Sequence, residues 1–476
     1  MVPVFTYAGS RVGVMGLGKS GLSAAAALKA GGAYVCVWDD KAEAREKAKT
    51  EGWALMDIDA ARLDVALIVW SPGVPHTLPK PHPLAVKARA QDIPLVCDVD
   101  LLCRAQEAAT FIGITGTNGK STTTSLMAHV LRTANRAVEV GGNLGTPALD
   151  LGSLGALGTY VLELSSYQLE LVPALSLETA IFLNITPDHI DRHGDMAGYV
   201  KAKKRIFQGQ RYPRTAVIGI DDEYSAAVRD ELVRAGLHNV MAISTKQVTR
   251  GGVYVDNGVL MDATQGHATA LIDLKTIPTL PGEHNWQNAA AVTAAALSQG
   301  ISTATIVNAL TTFKGLAHRQ ELVATINGVP FINDSKATNA DAAEKALRCY
   351  DNIYWIAGGI AKDGGIESLK PLFPRIRHAY LIGEAADDFA DTLEAGKVAH
   401  DLYEDLETAI EDAGTRAMKD KMPGAVVLLS PACASFDMFK SFEHRGDVFR
   451  AEVLELWPEG TARKSKSGKS KSGEAA

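Results

Sequence analysis

Short apolar runs rich in β-branched residues alternate with alanine-rich stretches along almost the whole chain. "RVGVMG", "FIGITG" and "NIYWIAGG" are examples of such runs. Continuous apolar runs indicate strands that are buried on both faces, and their alternation with helices indicates mostly parallel sheets. We therefore predict an α/β protein. Because 476 residues exceed what one ordinary core can hold, several domains are expected.

Two glycine-rich loops follow predicted strands. In "GITGTNGKST", residues 113–122, a strand leads through glycines into a helix. Glycines let the backbone approach phosphates, the helix N-terminus attracts their charge, and the lysine reaches the terminal phosphate oxygens. The loop has one residue more than the usual triphosphate-binding pattern between its first glycine and the Gly-Lys pair. ATP is the expected ligand, and the expected contacts are Gly116, Thr117, Asn118, Gly119, Lys120, Ser121 and Thr122.

The second loop, "GLGKSG" at residues 16–21, has the G-x-G-x-x-G spacing of dinucleotide-binding proteins. Asp39 ends the next predicted strand, where such folds place an acid that binds ribose. Taken alone, this pattern favours NAD and an oxidoreductase. A nicotinamide cofactor would leave the loop at residues 113–122 unexplained.

Charge and targeting signals narrow the class of partner. The net charge of −7 argues against a nucleic-acid partner. The five scattered cysteines indicate free thiols in a reducing compartment. The N-terminus lacks the features of a signal peptide, and no apolar run approaches the length of a membrane span. A cytoplasmic protein without membrane insertion is expected.

The variant loop G-T-N-G-K-S/T resembles that of the ATP-dependent Mur ligases and the related folylpolyglutamate synthases. "ELSSYQLE", "NDSKATN" and "SPACASFDMFKSFEHRG" further resemble the branch of the Mur ligases that adds D-glutamate to UDP-N-acetylmuramoyl-L-alanine. The resemblance covers roughly residues 10–457. It implies a cytoplasmic, monomeric enzyme of peptidoglycan precursor synthesis that works through an acyl phosphate.

The resemblance also implies the domain order. It predicts a Rossmann-like domain for the UDP-substrate at 1–107, a central P-loop-like ATPase domain with a mostly parallel sheet at 108–315, and a Rossmann-like amino-acid-binding domain at 316–460. Domain closure would accompany binding of the ligands. Residues 461–476, rich in Lys, Ser and Gly, cannot build a core and are predicted to be a disordered basic tail.

Site residues follow from the same resemblance, position by position. The implied catalytic residues are Lys120, His189, Lys203 and Arg319. Two Mg²⁺ ions are implied, with ligands Ser121, Glu163, His189 and Lys203, the last as a carbamate formed with CO₂. Further ATP contacts are implied for Asn288, Arg319, Asp334 and Lys336. D-Glutamate contacts are implied for Thr338, Lys362, Ser435 and Phe442. In place of NAD, the diphosphate of the UDP-substrate would occupy the first loop, with contacts from Gly16, Leu17, Gly18, Lys19, Ser20, Asp39, Ser71, Asn143 and Gln168.

Three alternatives stay open from the sequence. A sibling Mur ligase or a folylpolyglutamate ligase would share the ATP loop but not the signatures at 163–170 and 430–446. A nicotinamide-dependent oxidoreductase rests on "GLGKSG" alone. A catalytically dead nucleotide-binding homologue would not need Lys120, Glu163 and His189 intact.

Overall fold

The computed structural model of the protein describes residues 1–143, 145–362 and 364–458. They form two compact units, Met1–Phe313 and a second unit that begins at Lys314. Three sheets of five, nine and six strands confirm the predicted α/β class. The exact domain limits stay predictions, and the predicted tail at 461–476 lies outside the described residues.

The first sheet of unit 1 is wholly parallel. Its strands are β1 (Arg11–Met15), β2 (Tyr34–Trp38), β3 (Ala54–Leu55), β4 (Ile68–Trp70) and β5 (Leu95–Val96). The accompanying helices are α1 (Lys19–Ala30), α2 (Ala42–Thr50), α3 (Pro83–Ala90) and α4 (Asp98–Ala105). The strand order β3-β2-β1-β4-β5 places β1 at the centre. The first glycine-rich loop therefore leaves the carboxyl edge of the sheet at the point where the strand order reverses, which is where α/β sheets bind ligands.

Helix α1 packs tightly against this first loop because of Gly21. A Cβ atom at Gly21 would stand 1.9 Å from the carbonyl oxygen of Gly16. No other residue type fits such a contact without moving the helix. The last glycine of G-x-G-x-x-G thus serves helix packing and does not itself need to touch a ligand.

The second sheet of unit 1 has nine strands in the order β14-β13-β12-β11-β10-β9-β6-β8-β7. The strands are β6 (Thr110–Thr115), β7 (Ala137–Gly142), β8 (Gly158–Glu163), β9 (Thr179–Phe182), β10 (Thr215–Gly219), β11 (Asn239–Ser244), β12 (Val253–Asp256), β13 (Val259–Asp262) and β14 (Thr269–Asp273). The helices are α5 (Lys120–Thr133), α6 (Ser166–Leu169), α7 (Ile190–His193), α8 (Met196–Lys204), α9 (Glu223–Ala235), α10 (Glu283–Ser298) and α11 (Thr303–Thr312). The strands from β7 to β12 are parallel, and the central strand β6 lies between β8 and β9.

The far edge of this sheet is antiparallel. Strands β12, β13 and β14 form consecutive antiparallel pairs, which the sequence patterns did not predict. Asn257 and Gly258 join β12 to β13 with φ angles of 48° and 89°. Positive φ at both positions is the conformation that two-residue hairpin turns require.

The two sheets of unit 1 share a core. One continuous cluster of buried apolar side chains includes Val14 and Trp70 from the first sheet and Tyr160 and Phe182 from the second. The opposite face of the nine-stranded sheet is covered by a separate cluster to which α10 contributes a run of buried alanines. The shared core explains why Met1–Phe313 forms one compact unit.

Unit 2 contains the six-stranded sheet, in the order β15-β16-β20-β17-β18-β19. Its strands are β15 (Glu321–Ile326), β16 (Val329–Asn333), β17 (Ile353–Gly358), β18 (Ile376–Ile382), β19 (His400–Tyr403) and β20 (Val426–Leu429). Its helices are α12 (Ala340–Leu347), α13 (Ala386–Ala395), α14 (Leu406–Asp420) and α15 (Phe442–Leu456). All pairs are parallel except β15 with β16. Apolar cores cover both faces of the sheet.

Short 3-10 helices complete the described chain, at Phe5–Tyr7, Ala148–Asp150, Gly155–Leu157, Arg205–Phe207, Leu274–Thr276 and Glu367–Arg375. Among the residues that the structure describes, no helix is both long and apolar enough to cross a lipid bilayer.

Candidate active site

The ATP loop, residues 116–122, connects the central strand β6 to helix α5. Gly116 and Gly119 have φ angles of 151° and 84°, which residues with a side chain rarely adopt. A Cβ at Gly116 would stand 2.9 Å from the Cβ of Leu183, and one at Gly119 would stand 2.3 Å from the Asn288 amide oxygen. The turn therefore requires glycine at both positions, and it aims the N-terminus of α5 at the loop.

Neighbouring segments hold the ATP loop in place. The Asn118 backbone N–H donates to the side-chain oxygen of Asn184 at 2.9 Å. The Thr117 hydroxyl lies 3.1 Å from the Tyr199 hydroxyl. Lys120 extends back over the loop and donates to the carbonyl oxygens of Gly116 and Thr117 at 2.9 and 2.8 Å. Its ammonium group thus lies over the turn of the loop, and its contact with the terminal phosphates stays a prediction.

Asn288 of α10 supports the loop from beneath. It is 1% exposed and accepts a hydrogen bond from the Thr123 hydroxyl at 3.1 Å. Its amide nitrogen donates to the Asn285 side chain at 3.2 Å. The predicted contact of Asn288 with ATP stays a prediction, while its packing beneath Gly119 is a structural role that the sequence did not reveal.

Glu163 ends β8 next to the ATP loop. It is 3% exposed, and one of its carboxylate oxygens accepts a hydrogen bond from the Asn143 amide at 2.8 Å. The other oxygen, Oε2, is buried without a hydrogen-bond partner. A buried carboxylate oxygen left without a partner is costly and points to a missing ligand, such as a cation.

Lys203 of α8 is buried beside the first residues of the ATP loop. Its Nζ atom donates to the Gly116 carbonyl at 2.9 Å and lies 3.5 Å from the Thr115 hydroxyl. Burial lowers the pKa of this ammonium well below its ordinary value, and the charge of Lys120 acts in the same direction. A lower pKa favours the neutral amine, the form that reacts with CO₂, over the ammonium.

His189 precedes α7 in a left-handed conformation, with φ of 52°. Its imidazole lies 3.4 Å from Asp188 and is half exposed. The ring centroid of Tyr167 is 5.0 Å away. Because about half of its side chain is exposed, the imidazole is accessible to a ligand.

The residues present fit magnesium bound together with a nucleotide. Within the described ranges, no group of three or more His, Cys, Asp or Glu side chains is arranged to hold a metal by itself. Mg²⁺ is commonly held by one or two carboxylates plus phosphate oxygens. The unpartnered oxygen of Glu163 and the buried Ser121 in the first turn of α5 match that requirement.

The first glycine-rich loop of unit 1 is closed by Asp39. The Leu17 backbone N–H donates to Asp39 Oδ2 at 2.8 Å, and Asp39 Oδ1 accepts from the Lys41 N–H at 2.9 Å. A Cβ at Gly16 would stand 2.5 Å from the Cβ of Ser71. Three of the predicted UDP-substrate positions, Leu17, Asp39 and Ser71, therefore meet around Gly16.

The remaining predicted UDP-substrate positions divide into two groups. Gly18 precedes α1, and Lys19 and Ser20 begin that helix. The two others lie beside the second sheet. Asn143 directly follows β7 and contacts Glu163, and Gln168 lies in α6, where its side chain completes a capping box with Ser165. The capping box occupies the side-chain oxygen of Gln168, Oε1, which accepts from the Ser165 backbone N–H at 3.0 Å.

Asp98, which no sequence pattern predicted as a site residue, joins the two sheets near the first glycine-rich loop. It is 2% exposed, and burial raises its pKa to about 6 although hydrogen bonds from Ala148 and Ser20 act against this. Asp98 belongs to no recognisable sequence motif. Only the fold shows that it faces Ser20.

In unit 2, Asp334 follows β16 and meets Ser430, which follows the adjacent strand β20. The Ser430 hydroxyl donates to Asp334 at 2.8 Å, and the Gln320 N–H donates at 3.1 Å. Burial raises the pKa of Asp334 to about 7, against these hydrogen bonds and the positive charge of Arg319. The Lys336 N–H donates to the His318 carbonyl at 3.0 Å.

The predicted D-glutamate positions lie on several segments of unit 2. Thr338 lies just before α12, Lys362 is exposed after β17, Ser435 is buried after β20, and Phe442 begins α15. The phenyl ring of Phe442 has the Lys336 ammonium 5.3 Å from its centroid. The Phe442 carbonyl accepts from the Ser335 hydroxyl at 2.8 Å.

Arg445 organises these segments and was not predicted. It is 1% exposed, and its guanidinium donates to the Ser335 carbonyl at 2.8 Å and the Cys433 carbonyl at 3.0 Å. Burial lowers its pKa to about 10. An arginine in a charged helix is normally a surface residue, so the sequence alone gave no signal that this one is buried.

Comparisons with known proteins agree with this architecture. A model of the Mur ligase middle domain matches residues 114–296, and a model of the Mur ligase, glutamate ligase domain matches residues 318–433. A solved UDP-N-acetylmuramate-alanine ligase from Thermotoga maritima is similar in fold, with a TM-score of 0.58 at 19% identity over 94% of this chain and 100% of that chain.

Two curated relatives are similar over nearly their full length. The UDP-N-acetylmuramoylalanine–D-glutamate ligase of Rhodospirillum rubrum is 56% identical, over 96% of this chain and 97% of that protein. The protein of the same name from Caulobacter vibrioides is 50% identical, over 95% and 97%. Together with the two matching domains and the site geometry, these similarities show that the chain belongs to the Mur ligase family.

Proposed function

We propose that the protein is an ATP-dependent ligase that adds D-glutamate to UDP-N-acetylmuramoyl-L-alanine, with release of ADP and phosphate. The observation that carries the proposal is the full-length similarity to relatives of that name. The geometry of unit 1 supports it, because an ATP loop, an unpartnered buried carboxylate and a buried lysine of lowered pKa adjoin one another. A nicotinamide-dependent oxidoreductase would not explain that arrangement.

ATP binds at residues 116–122, where backbone N–H groups donate hydrogen bonds to its phosphates and the N-terminus of α5 attracts their negative charge. Lys120 and Arg319 stabilise negative charge on the transferred phosphoryl group, as cations do in other phosphoryl transfers. Asn288, Asp334 and Lys336 are the further proposed contacts with the nucleotide. Catalysis rests mainly on positioning and charge stabilisation.

Two metal ions are part of the proposal. Ser121 and Glu163 would hold one, and His189 with Lys203 would hold the other. Bound Mg²⁺ supplies neutralisation of the phosphate and carboxylate charges that must approach each other. For Lys203 this requires a carbamate, in which the neutral amine has combined with CO₂ and offers oxygen ligands in place of an ammonium. The lowered pKa of Lys203 favours the neutral amine that this addition requires.

The reaction then has two steps. A carboxylate oxygen of the substrate L-alanyl group attacks the γ-phosphorus, and the bond to the bridging oxygen breaks, so that ADP leaves and an acyl phosphate forms. The free amine of D-glutamate next attacks the acyl carbon. The carbon–oxygen bond to phosphate breaks, inorganic phosphate leaves and the amine loses a proton.

The two substrates are assigned to separate regions. The diphosphate of the UDP-substrate binds at Gly16 to Ser20, where a tight turn and a helix N-terminus accept any diphosphate. Asp39, Ser71, Asn143 and Gln168 are its other proposed contacts. D-Glutamate binds in unit 2, where Lys362 pairs with a carboxylate, Ser435 and Thr338 donate hydrogen bonds, and Phe442 packs against its carbon chain. A cytoplasmic, monomeric enzyme is expected.

The experiment measures phosphate release from ATP in the presence of Mg²⁺ and UDP-N-acetylmuramoyl-L-alanine. D-Glutamate, L-glutamate, L-lysine and meso-diaminopimelate are tested separately, with omission of the UDP-substrate as the control. Release that depends on D-glutamate alone is the expected result. Release with a different acceptor would assign the protein to a sibling step. Release with none of them would contradict the proposed reaction.

A further inference from the structure

A carboxylate lies between two imidazoles inside unit 1, next to the proposed site but outside its assigned residues. Glu170 directly follows α6. One of its oxygens is 3.6 Å from His76 Nε2, and the other is 3.5 Å from His193 Nδ1. The side chains of His76 and His193 are 8% and 1% exposed. The three groups therefore form a link from His76 through Glu170 to His193, in which both imidazoles are buried and the carboxylate is partly exposed.

The two histidines belong to different parts of the fold. His76 ends the segment that we call the substrate loop, residues 71–76, which follows β4 of the first sheet. His193 ends α7 of the second sheet, the short helix that begins directly after His189. The link thus joins the loop that carries Ser71 to the helix that directly follows the proposed metal ligand His189.

A second set of contacts runs parallel to this link. The Arg192 guanidinium donates to the carbonyl oxygens of Gly73 and Pro72 at 3.0 and 3.2 Å. It also lies over the Tyr167 ring, 4.4 Å from the centroid. Tyr167 in turn is 5.0 Å from the His189 ring. Arg192 therefore holds the substrate loop at a point three residues before His76.

The substrate loop has little freedom to move without disturbing the diphosphate loop, residues 16–21. Ser71 leaves no room for a Cβ at Gly16. The Trp70 indole N–H donates to the Val74 carbonyl at 2.9 Å, which fixes the intervening turn. A displacement at His76 would consequently shift Ser71 and, through it, the turn at Gly16.

We propose that Glu170 is a positioning residue of the ligase reaction: by joining His76 to His193 it fixes the substrate loop relative to the helix that presents His189. It thereby sets the distance between the diphosphate end and the reacting carboxylate of the bound UDP-substrate. Glu170 touches neither ligand, and it acts through the two histidines. This inference rests on the proposed function.

The charges around the link suit this role. Burial opposes ionisation of Glu170, but the contact with His193 and the positive charge of Arg192 act against it, and the pKa of the carboxyl group is lowered. Burial lowers the pKa of His76, and Arg89, Arg192 and Arg205 act in the same direction, whereas the charge of Glu170 raises it. An ionised Glu170 between the two imidazoles is the arrangement in which both contacts persist.

The test compares Glu170→Gln with Glu178→Gln in the full-length protein. Glu178 is a matched control, since its side chain is 18% exposed against 22% for Glu170. It also pairs with a cation, Arg211, at 2.9 Å, but at the opposite end of the second sheet. His76→Gln is the second variant, and it decides the matter if Glu170→Gln does not fold.

The dissociation constants for UDP-N-acetylmuramoyl-L-alanine and for ATP are measured by calorimetry, together with kcat and the thermal midpoint. We expect Glu170→Gln and His76→Gln each to weaken binding of the UDP-substrate by about tenfold, and the double variant to be scarcely worse than either. Binding of ATP should change by less than about twofold. The control should leave both constants unchanged.

If Glu170→Gln and Glu178→Gln both lower the thermal midpoint and leave both dissociation constants unaltered, Glu170 has a merely structural role and the proposal is overturned. Additive effects in the double variant would overturn it as well. Absence of D-glutamate-dependent phosphate release by the unmodified protein would instead contradict the proposed function, so the two failures are distinguishable.

Discussion

Replacement of Gly119 by alanine tests whether the geometry of the ATP loop depends on the support beneath it. Gly119 has a φ of 84°, and its missing Cβ would stand 2.3 Å from the Asn288 amide oxygen. That oxygen accepts the Thr123 hydroxyl hydrogen bond. Alanine must therefore both adopt an unfavourable backbone conformation and displace a buried, hydrogen-bonded amide.

These two costs can be estimated separately. A left-handed conformation costs a residue with a side chain about 1–2 kcal/mol. Displacement of the amide leaves a buried hydroxyl or amide unsatisfied, at about 1–3 kcal/mol. Together they predict a loss of about 2–5 kcal/mol in the free energy of unfolding of unit 1. Because the loop must move to relieve the clash, we expect the KM for ATP to rise at least about tenfold.

Gly155→Ala provides the control. Its φ is 60°, and a Cβ there would meet no atom within 4 Å, so it carries the backbone cost without the clash. Denaturant unfolding and steady-state kinetics with varied ATP would be measured for both variants. The reasoning is refuted if Gly119→Ala matches Gly155→Ala in stability and keeps the KM for ATP of the unmodified protein.

The remaining predictions concern charged groups of the two units. Lys203→Ala should lower kcat by about 10²–10³-fold, and bicarbonate should not restore it. Lys201→Ala, which changes an exposed residue of the same helix, should leave kcat unchanged. Near-normal turnover of Lys203→Ala would contradict the proposed carbamate. Glu163→Gln should raise the Mg²⁺ concentration for half-maximal activity about 10–100-fold, and an unchanged Mg²⁺ titration would contradict its role as a ligand. Burial raises the pKa of Asp334 to about 7 in the folded protein. The folded state therefore keeps this proton at pH values at which the unfolded chain has lost it. The stability that Asp334 contributes falls as the pH rises from about 4 to about 7. The thermal midpoint of the unmodified protein, relative to Asp334→Asn, should therefore decrease from pH 5 to pH 8; an increase would contradict the buried, protonated state.

The buried parallel strands were predictable because a strand covered on both faces is a continuous apolar run, whichever strands lie beside it. β6 and β17 are covered on both faces, and each is a continuous apolar run. β12 and β13 escaped prediction because each has only four residues, and because β13, next to the edge strand β14, is only partly buried. The turn at Asn257 and Gly258 carried the one local signal, which is the Asn-Gly pair typical of hairpins.

The site was predictable where it is contiguous in sequence and not where the fold assembles it. The ATP loop is one uninterrupted motif, and Glu163 ends a recognisable strand. His76 and Glu170 are almost a hundred positions apart in sequence, and no pattern relates them; only the packing of two sheets on one core brings them together. Arg445 was missed for a related reason, since its partners are carbonyl oxygens, and carbonyl groups carry no sequence signature.

The measurement that most directly tests the proposed chemistry follows isotope transfer. UDP-N-acetylmuramoyl-L-alanine labelled with ¹⁸O in the alanyl carboxylate is incubated with the protein, ATP, Mg²⁺ and D-glutamate, and the released phosphate is analysed by mass spectrometry. An acyl phosphate predicts that one ¹⁸O atom enters each phosphate and that release requires D-glutamate. Unlabelled phosphate, or labelled phosphate released equally well with L-glutamate, would contradict the proposed reaction.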